Sequence, residues 1–230
     1  DMQSSSHTLF QGTSMDYLNL LKLSYETIKS VDTEAKVLIA APSKFTPEVV
    51  DFWEPILEGG SHYFAIGNMH SLQGNDDFHA SDYQGFLESS GSKDKPFWIT
   101  EAGVFMAGQA LEQEALSRVT IPNYASAFAN GADVVFRLAR GHSSGKVLET
   151  YLLAARTFGQ FNNVFGHSEN VVQFDMPDGK TVFVLWDNGS LPKSVTGQVQ
   201  VITYDGKETV VDAAAVETQV PTLVVIEAGQ

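Results

Sequence analysis

The sequence predicts an α/β protein: a parallel sheet flanked by helices, followed by a small antiparallel β domain. Up to residue 161 short apolar runs alternate with stretches of helical periodicity, the pattern of strands joined by helices in a parallel sheet. From residue 163 onward short strand-like runs follow one another closely and are separated by turn signals. These two patterns divide the chain into 1–162 and 163–230.

Taken in order, residues 1–12 are polar and Ser-rich and read as a loop. Thr13-Ser14 offers a helix N-cap with Asp16 in the first turn, and Tyr17, Leu21, Tyr25 and Ile28 recur at helical spacing to about Ser30. Lys36 to Ala41 is an apolar run stopped by Pro42 and reads as a buried strand. Thr46 followed by Pro47 starts a second helix, which Gly59-Gly60 ends. Tyr63 to His70 is the next strand, and the loop after it carries Asp76-Asp77, a pair expected to be solvated. Ser81 or Asp82 caps a short helix to about Ser89. A strand from Lys95 to Glu101 follows, and then a helix over roughly Leu111 to Asn130, with Pro122 a candidate interruption and Gly131 its close. Ala132 to Leu138 is the fourth strand, and Gly145 to about Phe161 the last helix. Beyond it, Val171–Phe174, Thr181–Trp186, Gly197–Tyr204, Thr209–Asp212 and Leu223–Glu227 are strand-like. Pro177-Asp178-Gly179 and Asp205-Gly206 are hairpin signals.

Composition excludes several classes of function. A hydrophobic content of 43% over 230 residues supports a sizeable core. The net charge of −14 argues against nucleic acid and anionic membranes, since no basic patch exists to displace counterions from phosphates. It suits a neutral substrate such as a sugar. The lack of cysteine rules out disulfides, thiolate catalysis and Cys-ligated zinc. No apolar run approaches the roughly 20 residues of a membrane span, no signal peptide is visible, and no compartment is assigned. A start at Asp1 rather than Met reads as a processed or truncated chain. No metal and no cofactor are expected.

The stretch Lys95-Pro96-Phe97-Trp98-Ile99-Thr100-Glu101-Ala102-Gly103 organises the rest. Its apolar run fits a buried strand, and Glu101 stands where the strand runs out, on the side where α/β sheets meet their ligands. A surface glutamate that merely follows a strand is the alternative. Other strand ends present Asn68 and His70, then Arg137, Arg140 and His142. Side by side, they form a rim suited to a neutral polyhydroxylated ligand. Asn68 and His70 are either lining of that rim or simply hydrogen-bonded there. Arg137 and Arg140 pair with Glu101 or with surface carboxylates. Strict alternation sets Trp98 and Thr100 on the face opposite Ile99 and Glu101. Trp53 and Trp98 then read as helix–sheet packing, and Trp186 as β-domain core.

These motifs resemble the C-terminal half of a clan A glycoside hydrolase. That family has a (β/α)8 (TIM) barrel, here strands five to eight, followed by a small sandwich-like β domain. Ile66-Gly67-Asn68-Met69-His70 resembles the sixth strand, the Glu101 stretch the seventh, Gly131-Ala132-Asp133-Val134-Val135-Phe136 the eighth, and Lys180 to Trp186 the β domain. The resemblance implies that Glu101 is the nucleophile of a retaining glycosidase and that Asn68, His70 and Arg137 line the substrate site. It places the acid/base glutamate at the end of the fourth strand, upstream of Asp1. It therefore implies a partner, either an N-terminal half-barrel chain or a second copy of this chain. Two positions depart from the family pattern: Leu72 stands where many relatives keep a tyrosine, and Phe136 and Arg137 stand where a sugar-stacking tryptophan is common. The alternative function is non-catalytic carbohydrate binding or assembly on a decayed barrel scaffold.

Overall fold

A computed structural model describes residues 10–71, 76–103, 113–138 and 145–229. The chain divides into two compact units. The first holds the described residues up to 71, then 78–103 and 131–138, and the second holds the rest.

The first unit begins with α1 (Ser14–Val31). Thr13 caps it: the Thr13 side chain accepts from the Asp16 amide and the Asp16 carboxylate accepts from the Thr13 amide, so two orphan donors are satisfied reciprocally. Helix α2 (Pro47–Gly60) starts with proline at its first turn, as expected, and carries on through Pro55. Trp53 of α2 is buried against Tyr17 of α1, with ring centroids 5.3 Å apart.

Three strands form a parallel sheet in sequence order: β1 (Gly67–Ser71), β2 (Phe97–Ala102) and β3 (Ala132–Arg137). The run Lys36–Ala41 does not form a full strand. Leu38 makes a single parallel bridge to Ile66, and the Ile39 amide donates to the Ile66 carbonyl at 3.1 Å. Four residues beyond Leu38, the Pro42 carbonyl accepts from the His70 amide at 2.9 Å and keeps the run beside β1. Four extended segments therefore lie side by side in chain order. Helix α3 (Ala80–Ser89) covers β1 and β2: Tyr83 is buried, its hydroxyl accepts from the Asn68 amide at 2.9 Å, and its ring meets Phe97 at 5.2 Å. The cap of α3 is His79 rather than Ser81 or Asp82. His79 takes a left-handed conformation (φ 61°), and its ring Nδ1 pairs with Asp82 at 2.8 Å.

The second unit packs α4 (Gln113–Ala129) and α5 (Lys146–Phe158) with an antiparallel sheet. Helix α4 is buried on nearly every side and stays continuous through Pro122. The strands are β4 (Asn163–Ser168), β5 (Val171–Asp175), β6 (Thr181–Leu185), β7 (Gln198–Thr203), β8 (Glu208–Asp212) and β9 (Thr222–Ile226). They form one sheet of order β4-β5-β6-β9-β7-β8. The expected sandwich would need a second sheet. Here α4 and α5 supply one cover: Phe174 of β5 stacks on Phe158 at 4.7 Å and meets Phe128 edge-on at 6.2 Å. On the other face Val171, Phe183, Leu185, Val199 and Val224 form a core closed by the connecting residues Leu191, Val195 and Val216. Trp186 is buried in this unit, as its sequence context suggests.

Asp77 belongs to this unit and is buried, accepting a 2.9 Å bond from Asn130 Nδ2. The expectation of two solvated carboxylates therefore holds for exposed Asp76 alone.

Candidate active site

The site residues sit on β1 and β2, whose pairing is interrupted by a one-residue slip. Asn68 lies opposite Trp98 and Met69 opposite Ile99, but His70 lies opposite Glu101. Thr100 is the extra residue of a β-bulge. A bulge locally breaks the alternation of side chains and re-aims them. This overturns the expectation that Thr100 and Glu101 point to opposite faces, because both reach His70. Thr100 Oγ1 lies 3.0 Å from His70 Nε2, and Glu101 Oε2 lies 3.6 Å from His70 Nδ1.

The Thr100 hydroxyl donates its single proton to Asn68 Oδ1 at 2.7 Å. Toward His70 its oxygen is then an acceptor, so Nε2 carries a proton. The other ring nitrogen, Nδ1, faces Glu101 Oε2 at 3.6 Å and donates to that carboxylate only when the ring is protonated. Burial, the larger influence, lowers the His70 pKa below its ordinary value, and the nearby Glu101 charge opposes that shift. Asn68 is 6% exposed, whereas the Glu101 side chain keeps 31% of its surface. The amide is structural ballast for the ring, and the carboxylate is the group a ligand can reach.

Strand β2 buries Phe97 and Ile99 fully on one face. Trp98 lies on the other face, only partly buried, with its ring 6.0 Å from Phe136. Phe136 is 47% exposed. Trp98 is thus part of an open aromatic surface on the face that carries Asn68 and Thr100, not a helix–sheet contact. Trp53 is fully buried, and its ring contacts are to Tyr17 of α1 and Phe52 of its own helix.

Arg137 occupies the register position opposite Ala102, one residue beyond Glu101, and is partly buried. The contact of Glu101 is to His70, an ion pair only when the ring is protonated. Arg140 and His142 lie outside the described residues. At the other end of the sheet the Asp133 carboxylate accepts from the Phe97 amide at 2.9 Å. Among the described residues, no three His, Asp or Glu side chains come together to hold a metal ion. Sequence reasoning missed Thr100, and no local signal marks it: a threonine inside a strand is ordinary, and the slip depends on how β1 and β2 pair.

No family model matches the chain, and no curated protein matches it. Its fold is similar to several solved structures. One is a glucosidase from Croceicoccus marinus (TM-score 0.65, 11% identity, 96% of this chain and 66% of that one). A second is the catalytic domain of a GH30 xylanase C from Talaromyces cellulolyticus (TM-score 0.51, 15% identity, 93% and 57%). A third is a family 51 α-L-arabinofuranosidase from Bifidobacterium longum (TM-score 0.54, 10% identity, 94% and 63%). The chain therefore spans 57–66% of the length of these structures, and its mixed α/β fold is one that glycoside hydrolases use.

Proposed function

We propose that this chain is the nucleophile-bearing, C-terminal half of a retaining glycoside hydrolase of clan A type, with Glu101 as the nucleophile. The observation that carries the reading is a partly exposed carboxylate at the carboxyl end of a parallel strand, set opposite His70 by a bulge at Thr100. In double displacement the Glu101 oxygen attacks the anomeric carbon and the bond to the leaving oxygen breaks. A second carboxyl group then protonates that oxygen, and water later cleaves the glycosyl ester.

The two carboxyls of such an enzyme stand about 5–5.5 Å apart, or about 6.5–9.5 Å in an inverting one. The three described strands carry one other carboxylate, Asp133, at the amino end beside Phe97. Four residues of strand separate Phe97 from Glu101, about 13 Å, so Asp133 fits neither geometry. In this reading the acid/base is supplied by an N-terminal half-barrel carrying strands one to four. The exposed ring of Phe136, beside the partly buried Trp98, supports this reading, since a barrel interior would cover it.

The test combines native mass with covalent labelling. The purified assembly is incubated with 2-deoxy-2-fluoroglycosyl fluorides, whose good leaving group removes the need for acid catalysis. A glycosyl adduct on Glu101, absent in Glu101→Gln, is expected. An assembly that hydrolyses aryl glycosides while labelling elsewhere, or after Glu101→Gln, would refute the assignment. Glycan binding without any labelling would favour the non-catalytic alternative.

A further inference from the structure

The second unit contains a cleft of about 280 Å³ between α4, the β4–β5 turn, the residues just after β6 and those just before β9. Trp186 and Pro122 are among its apolar lining residues, and Asn123, Asn170 and Gln219 are its amide-bearing ones. Glu169 and Asp187 add carboxylates. The frame around these groups is fixed. The Trp186 amide donates to the Asn170 carbonyl at 3.2 Å, Asn170 Nδ2 donates to the Asp187 carbonyl at 3.2 Å, and the Asn188 amide donates to the Thr218 carbonyl at 3.1 Å. Asp187 and Asn188 both take positive φ, 45° and 66°, a left-handed turn that Asp and Asn adopt more readily than other side chains. Gly189 completes the loop, because a Cβ there would stand 2.3 Å from the Asn170 carbonyl oxygen.

The lining selects the ligand. Arg118 is the cation at the cleft, and it already pairs with Glu114 at 3.5 Å, so carboxylates outweigh it and an anion is disfavoured. No three acidic or histidine side chains among the described residues are placed for a metal. Amides that donate and accept, carboxylates that accept, and an indole together match a neutral ligand rich in hydroxyls. The volume lies just below the roughly 300–1,000 Å³ of small-molecule clefts, the size of one or two sugar rings.

We infer that this cleft is a second carbohydrate-binding site, which anchors a neutral glycan through Gln219 and Glu169 at its rim. It uses none of the residues assigned to Glu101 chemistry, so the two proposals stand or fall separately.

Affinity electrophoresis in native gels containing soluble xylan, mixed-linkage β-glucan or arabinan tests it on the full 230-residue chain. Wild-type and Glu101→Gln proteins should be retarded alike by at least one polymer. The double substitution Glu169→Ala/Gln219→Ala changes two exposed side chains and should keep the thermal midpoint. It should also weaken the retardation by about tenfold, the loss of two hydrogen-bonding groups. Three results would overturn the proposal: no retardation by any of the three polymers, retardation unchanged in the double variant, or retardation lost in Glu101→Gln.

Discussion

Replacing Thr100 with valine asks whether its hydroxyl holds the site together. Valine keeps the β-branched shape, so the change removes an oxygen, a proton and little else. Two hydrogen bonds disappear, to Asn68 Oδ1 (2.7 Å) and His70 Nε2 (3.0 Å). Asn68 is 6% exposed and has little access to replacement water. Leaving its acceptor unmet costs about 1–3 kcal/mol. The His70 side chain keeps 17% exposure and recovers part of its loss by hydration, at a cost of about 0.5–1.5 kcal/mol. The sum is about 1.5–4.5 kcal/mol. Thr100→Ser is the control: it keeps both bonds and loses one methyl group, about 1 kcal/mol. Urea unfolding of the three proteins at pH 8, where His70 is neutral, gives the comparison. Nitrogen chemical shifts of the His70 ring report the tautomer, with the proton on Nε2 in the wild type and no such preference in the valine variant. A valine variant as stable as the serine variant, with an unchanged tautomer, would refute the bridge.

Three further expectations follow from the same geometry. Phe174→Ala empties the space between Phe158, Phe128 and Phe161 and should cost about 3–5 kcal/mol in denaturant unfolding; a loss under about 1 kcal/mol would mean that the helices do not pack on β5. Glu114 of α4 is bonded by Lys146 and Tyr204, which hold its pKa down to about 2. Its folded value lies below its unfolded one, so the stability it contributes is present above about pH 4.5 and is lost as the pH falls toward 2. Glu114→Gln should flatten that acid limb in unfolding measured against pH, and an unchanged limb would count against the cluster. Burial likewise depresses the folded pKa of His70. Its contribution is therefore present above about pH 6.5 and is lost as the pH falls through the folded value. Proton NMR of the His70 ring should show the lowered midpoint, and Glu101→Gln should lower it further; an upward move would contradict the assigned roles of burial and charge.

What the sequence made legible was whatever depends on near neighbours along the chain. Thr13 with Asp16, Pro47 after Thr46, and Gly131 after α4 mark helix ends through local chemistry, and each is found where that chemistry places it. Pro122 shows the converse: α4 is buried along most of its length, and tertiary packing carries the helix through the proline. Strand β4 escaped notice because it is an edge strand with most of its side chains exposed and a glycine in the middle, so no apolar alternation marks it. For the site, Glu101, His70 and Asn68 could be singled out from their positions at strand ends. Thr100, which joins two of them, could not. Its role arises from a register slip between two strands separated by 25 residues of sequence, and periodicity within either strand is blind to that.

The order of the antiparallel sheet bears on synthesis. Strand β9 comes last along the chain yet lies in the middle, hydrogen-bonded to β6 on one side and β7 on the other. Until Thr222 to Ile226 has left the ribosome, the three-stranded ribbon β4-β5-β6 and the hairpin β7-β8 each end in a bare edge of unpaired backbone groups. Open edges of that kind recruit other strands. A polypeptide stopped just short of Thr222 would lose five residues of strand and expose two sticky borders at once. Such a product belongs in inclusion bodies, whereas an equal deletion confined to edge strand β8 would bare only one new border.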